Sequence, residues 1–266
     1  MDLELKGKRA LVTGSSSGIG EQVAQRLAEE GASVIVHGRN RERAEAVAAR
    51  ITDAGGSAAV AIGDLATDAD ASAVIDQAVN AFGGLDIVVN NAGVFNETDW
   101  DTSPDTWNDI YNTNVTSMVR VIQGTLPELK KNGWGRFVQI ASGVGSAPFP
   151  SAPDYNATKA ANINMTVSLA KTLAGTNVTA NAVSPGPIKT PALEKFFRGF
   201  ADQMGWGDDW DTIEAKAVEQ FVPNPTGRVG RPEEIADTVA FLSSPRADYI
   251  NGANIRVDGG FVPSVN

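Results

Sequence analysis

The stretch Ala10-Leu11-Val12-Thr13-Gly14-Ser15-Ser16-Ser17-Gly18-Ile19-Gly20 decides the fold. Its first four residues are a short apolar and β-branched run of the kind that fills a buried strand. From Gly18 to Glu30 the pattern changes to helical spacing, with Val23, Leu27 and Ala28 on one face. Between strand and helix lie glycines, which reach positive φ without a Cβ clash and let the backbone approach a ligand closely. The helix behind the turn presents unpaired N–H groups and the positive end of its dipole. Strand, glycine turn and helix N-terminus in that order make a seat for a pyrophosphate. Gly14, Ser16, Ser17, Gly18, Ile19 and Gly20 are the residues placed to hold it.

Outward from this unit the alternation continues. Further strands are expected at 33–36, 58–62, 85–89, 136–140 and 178–183, and helices at 41–52, 70–82, 104–131 and 155–173. Ser103 is placed to cap the long helix and Pro104 to be its first residue. Strands alternating with helices imply right-handed crossovers. The fold class is therefore α/β, a doubly wound parallel sheet in three layers, the Rossmann fold. No linker, repeat or low-complexity tract interrupts residues 1–266, which read as one nucleotide-binding domain. The rhythm fails only at 187–225, a proline-containing segment that also carries Phe196, Phe197, Phe200, Trp206, Trp210 and Phe221. Irregular, aromatic-rich sequence just after a strand end suggests a lid over a pocket. The alternative is two ordinary helices packed on the core. A helix at 232–242 and a strand near 253–257 complete the pattern.

Composition bounds the chemistry. The chain of 266 residues has 22 Lys+Arg against 32 Asp+Glu, a net charge of −10, no cysteine and one histidine, His37. Without thiols there is no disulfide framework, no Cys nucleophile and no Cys-ligated zinc or iron–sulfur cluster. One imidazole cannot build a His-rich metal site, so no metal is expected and acid–base work falls to another residue type. The acidic balance argues against nucleic acid, which binds basic faces, and against anionic membranes. No apolar run approaches the roughly 18 residues of a membrane span. The start, Met1 to Arg9, lacks the charged-then-apolar order of a signal peptide, so a cytoplasmic location is expected.

The end of the second strand discriminates between nicotinamide cofactors in such a fold. Here it reads Val36-His37-Gly38-Arg39-Asn40. There is no carboxylate to bond an adenosine ribose 2′-OH and repel a 2′-phosphate. Arg39 can instead grip a phosphate with two parallel charge-assisted bonds. NADP(H) preference is the expectation.

Tyr155-Asn156-Ala157-Thr158-Lys159 sets a phenol and an ammonium four residues apart, on one face of a helix. A neighbouring ammonium favours the phenolate, so Lys159 is expected to lower the Tyr155 pKa toward the working range. Ser142 lies at the end of the fifth strand, bordering the same crevice. To these the chain adds the glycine loop, Asn90-Asn91-Ala92-Gly93 after the fourth strand and Asn114 in the following helix. Pro185-Gly186-Pro187-Ile188 and Val257-Asp258-Gly259-Gly260 complete the set. In that order and spacing, across essentially its whole length, the sequence closely resembles the short-chain dehydrogenase/reductase family in its compact single-domain branch.

The resemblance implies an oxidoreductase that passes a hydride between nicotinamide and a carbonyl or alcohol substrate. It makes Tyr155 the general acid, Ser142 a hydrogen-bond partner of the carbonyl oxygen, and Lys159 a ligand of the nicotinamide ribose. Asn114, with Asn112 as rival for its register, would hold a water in a proton relay. Asp64, followed by Leu65, would bond the adenine amine, although Asp64 could equally cap the third helix. Asn91, Ala92 and Gly93 would line the adenosine ribose. Pro185 and Gly186 would lie beside the cofactor, with Ile188 and Thr190 on the nicotinamide amide. The glycine loop lacks the extra basic residue of some NADP-dependent relatives, which leaves NAD(H) use open. A homotetramer or homodimer is implied. The substrate could be a 3-oxoacyl thioester, a small alcohol or a sugar. The alternatives from other classes are a non-catalytic NADP-binding sensor and a lyase or epimerase with a tightly held cofactor.

Overall fold

Alternation within the strands divides the core between two faces of one sheet. Ala10 and Val12 point to one side and Leu11 to the other; Val34 and Val36 oppose Ile35, and Ile87 and Val89 oppose Val88. All nine are fully buried, as expected of parallel strands covered on both faces. The computed structural model describes residues 1–263. Its strands are β1 (Arg9–Val12), β2 (Ser33–Gly38), β3 (Ser57–Ile62), β4 (Ile87–Asn90), β5 (Gly135–Ile140), β6 (Val178–Pro185) and β7 (Asn254–Val257). They form one parallel sheet in the order β3-β2-β1-β4-β5-β6-β7.

Helices α1 (Gly18–Glu29), α2 (Arg41–Asp53) and α9 (Pro232–Leu242) share the first face. Helices α3 (Asp68–Phe82), α5 (Ser117–Lys131) and α6 (Pro153–Thr172) share the second. The strand order reverses between β1 and β4, the point at which ligands enter such sheets. Thr13 stitches it together. Its N–H donates to Val89 O at 2.9 Å, and its hydroxyl accepts from Asn91 N and Ala92 N, both at 3.0 Å.

One expectation needs correction. The helix foreseen over 104–131 is interrupted: α4 (Pro104–Tyr111), capped by Ser103, gives way to a π-helical turn at Asn112–Thr116 before α5 begins. Nothing in the apolar spacing announces that extra residue. The segment 187–225 is largely regular, forming α7 (Pro191–Met204) and α8 (Trp210–Gln220). Its aromatics build a third apolar cluster in which Phe197, Trp206, Ile213, Ala217 and Val218 pack together with Val229. Among the described residues no helix is long and apolar enough to cross a membrane.

Candidate active site

The glycine loop is held from beneath and from both sides. Gly14 has φ +65°, and a Cβ there would sit 2.9 Å from Ala92 Cα, so neither its angle nor its space admits a side chain. A Cβ on Gly20 would strike Asn91 Nδ2. Ser17 stands at the N-cap of α1 without a side-chain cap bond, so the N–H groups of the first turn are not consumed by it. A loop closed to side chains at Gly14 and Gly20, backed by a helix N-terminus, fits a pyrophosphate. At the end of β2, Gly38 leaves space beside Ser16, whose hydroxyl a Cβ would approach to 2.8 Å. Arg39 is largely exposed and lies 3.6 Å from Asp64 at the end of β3. An exposed cation at an open surface fits a 2′-phosphate, and the residues present therefore suit a dinucleotide.

Several expected ligands also make structural contacts. The Asn91 amide donates to Thr13 O and Gly14 O at 3.0 and 3.1 Å, so its side chain braces the glycine loop rather than reaching outward. Leu65 is buried in the second-face core, and Ile19 packs on the first-face core. Asp64 does not cap α3. Thr67 does, while Asp64 accepts from Ala66 N at 3.0 Å. Thr190 caps α7, and its methyl would lie 3.5 Å from a Cβ on Gly18, so α7 begins against the glycine loop. Ile188 bridges to Gly230, and Gly186 donates to Val257 O.

Beyond the switch point the catalytic candidates converge. Tyr155 lies in the first turn of α6 and Lys159 in the next, with the ammonium 5.6 Å from the phenol ring centre. Lys159 Nζ donates to Ile140 O at 3.0 Å, which ties it to the end of β5. Ser142 follows β5 and offers its hydroxyl to the Tyr155 phenol. The π turn aims Asn114 into this space. Its Oδ1 accepts from Val94 N at 2.8 Å, and its Nδ2 donates to Val94 O at 2.9 Å and Thr158 Oγ1 at 3.2 Å. Asn112 points elsewhere, to Ala66 O and Arg120. Gly93 fits between them: a Cβ there would lie 3.2 Å from Asn114 Oδ1 and 3.8 Å from Lys159 Nζ.

The electrostatics correct one expectation. Lys159 does not bring the phenol down here. Burial pushes Tyr155 up to about 12, against a partial offset from the Ser142 hydrogen bond. Burial also brings Lys159 down to about 8. Desolvation disfavours the charged form of each, and the ammonium lies over the ring. The result is a phenol that keeps its proton at neutral pH.

Sequence reasoning missed several members of this set. Thr158 stands within the Tyr–Lys motif, and its hydroxyl on the Asn114 side could have been inferred from helical spacing. Ile140 O and the Val94 backbone carry no side-chain signal. Thr98 O accepts from Ala152 N, and the Thr98 hydroxyl bonds Asp154, pinning the loop after β4 to the start of α6.

Residues 14–262 match the family model described as Enoyl-(Acyl carrier protein) reductase. The chain belongs to the short-chain dehydrogenase/reductase family. An uncharacterised oxidoreductase of Bacillus subtilis, YvrD, is 38% identical over the whole of both chains. The 3-oxoacyl-[acyl-carrier-protein] reductase FabG of Aquifex aeolicus is 38% identical, over 98% of this chain and 99% of its own. Among solved structures, L-sorbose reductase of Gluconobacter frateurii, complexed with NADPH and L-sorbose, superposes with a TM-score of 0.94 at 32% identity, covering 100% of each chain. The protein is thus an oxidoreductase of this family acting between CH–OH and C=O groups with a nicotinamide cofactor.

Proposed function

We propose that the protein is an NADP(H)-preferring reductase of ketones or aldehydes, able to run the reverse oxidation, with Tyr155 as the general acid–base. The convergence of Ser142, Tyr155, Lys159 and Asn114 on one crevice carries this reading. When bound, the nicotinamide supplies or accepts the hydride. Tyr155, held as the neutral phenol by burial, delivers its proton to the oxygen that gains charge. The Ser142 hydroxyl binds that same oxygen and orients the carbonyl. Lys159 binds the ribose hydroxyls from the floor of the site. Asn114 fixes the loop at Val94 to the Thr158 hydroxyl on α6, and lies along the path by which a proton returns. Arg39 takes the 2′-phosphate.

The protein would act as a single domain in the cytoplasm, with α7 and α8 covering the nicotinamide end. A homotetramer or homodimer would form through α5 and α6, whose outer faces set Val119, Ile122, Met165 and Leu169 along a shallow groove. A 3-oxoacyl thioester is the second reading of the substrate, favoured by the likeness to FabG. Residues 191–222 carry seven acidic and three basic side chains, a balance of 3 − 7 = −4, which disfavours an acidic carrier there.

The test is steady-state kinetics on a carbonyl panel with both cofactors. Tyr155→Phe should remove at least about 100-fold of kcat while NADPH affinity stays within a factor of two. Arg39→Ala should cut the ratio of NADPH to NADH efficiency by roughly 10- to 150-fold, ~1.5–3 kcal/mol for a charged hydrogen-bonded contact. A Tyr155→Phe enzyme that keeps most of its rate rules out the proton donor named here.

A further inference from the structure

His37 is buried at 3% exposure, yet it lies on the strand that ends at the cofactor surface. Its contacts leave one consistent state for the ring. Nδ1 faces the N–H of Gly14 at 3.0 Å, and a backbone N–H can only donate, so Nδ1 must be the bare, accepting nitrogen. Nε2 faces Gly63 O at 3.3 Å, and a carbonyl can only accept, so Nε2 must carry the proton. The imidazole is therefore neutral, as its burial requires.

The same residue also grips the loop through its backbone. Its N–H donates to Ser15 Oγ at 2.9 Å and its carbonyl accepts from Ser15 N at 2.9 Å, while Ser15 Oγ donates on to Val12 O at 2.6 Å. Any residue at 37 could supply the two backbone bonds. Only a side chain with an inward acceptor can take the Gly14 N–H. With both Gly14 N and Ser15 N bound to His37, the root of the loop is fixed and the N–H groups from Ser16 onward remain for a ligand. The ring also reaches Gly63, which precedes Asp64. One side chain thus joins the pyrophosphate end of the crevice to its adenine end.

We propose that His37 is a positioning residue for the dinucleotide, acting by accepting the Gly14 N–H so that the glycine loop is set for the pyrophosphate before the ligand arrives. It touches neither substrate nor cofactor. The proposal rests on the function proposed above, because it takes the glycine loop to be the cofactor seat.

The experiment compares the wild-type chain with His37→Asn, His37→Gln and His37→Phe by NADPH titration and thermal melting. The Asn Oδ1 falls where Nδ1 stands and can still accept from Gly14. The Gln amide reaches instead toward Gly63, and Phe fills the volume with no acceptor. The Kd for NADPH should rise about tenfold, ~1.4 kcal/mol, in the Phe and Gln variants and stay within threefold of wild type in the Asn variant. If the Phe variant does not fold, the contrast between Asn and Gln decides alone. Equal affinity in wild type and Gln, or an Asn variant as weak as Gln, overturns the proposal. A wild-type chain that binds neither NADPH nor NADH overturns the functional reading, and this inference with it; loss of the contrast in a chain that does bind overturns only the inference.

Discussion

Lys159 exposes the conflict between folding and function at a single residue. It is buried with one hydrogen-bond acceptor in Ile140 O, and burial alone brings it down to about 8 from 10.5. A cation whose folded pKa lies below its unfolded value is a burden below pH 8, where it is charged in both states. That burden is relieved only as pH rises from 8 toward 10.5. A shift of this size corresponds to about 3 kcal/mol. Removing the ammonium returns most of it, less about 1 kcal/mol for leaving Ile140 O unpaired. In the nucleotide-free protein, Lys159→Met should therefore raise stability by roughly 1–2 kcal/mol at pH 7 while turnover is lost. Urea unfolding of both proteins checks this, and a less stable variant would show that Lys159 holds the fold as well as the chemistry. The Tyr155–Lys159 spacing was readable because a helix fixes it. The direction of the Tyr155 shift was not, because it depends on how deeply both side chains are covered.

The π turn makes the same point for an element. The helix expected over 104–131 has the ends expected of it: Ser103 caps it, Pro104 opens it and Lys131 closes it. The inserted residue is invisible to periodicity because its cause is tertiary, the bonding of Asn114 to Val94 and Thr158. Such single extra residues occur often at functional sites. Here the turn sends two asparagines, two positions apart, to different places. Asn114→Ala should cost about 1–3 kcal/mol, since it removes the part-buried partner of the Val94 N–H and the bond to Thr158, and should lower kcat as well. Asn112→Ala loses bonds to Ala66 and Arg120 and should cost stability without a comparable loss of kcat. Paired unfolding and rate measurements separate the two, and equal losses of kcat would remove the distinction. For α7 and α8 the signals lay in the sequence but were outweighed by prolines and aromatics. Thr190 before Pro191 and Asp209 before Trp210 are N-caps, and Gly205 closes α7 in the left-handed conformation.

Across the whole molecule, acid should act in two stages. His37 is held neutral by burial, and its pKa falls to about 4 from 6.5, with Gly63 and Asp64 opposing the fall and Arg39 adding to it. Between those values the unfolded chain binds a proton that the folded chain refuses, so stability rises with pH from about 4 to 6.5. Below that window Glu234 follows. The Arg228 guanidinium holds it down to about 2, so the stability it lends is present above 4.5 and disappears as pH falls toward 2. Only the first stage belongs to the imidazole, which at this burial is worth up to about 3 kcal/mol. Replacing it with Asn leaves the second stage in place and removes the first. Urea unfolding at intervals from pH 7 to pH 4 should give a wild-type stability that declines by up to about 3 kcal/mol more than that of His37→Asn. Parallel curves would mean that the folded chain protonates the ring as readily as the unfolded one, so that the Gly14 bond to Nδ1 adds nothing and the loop is held by its backbone alone.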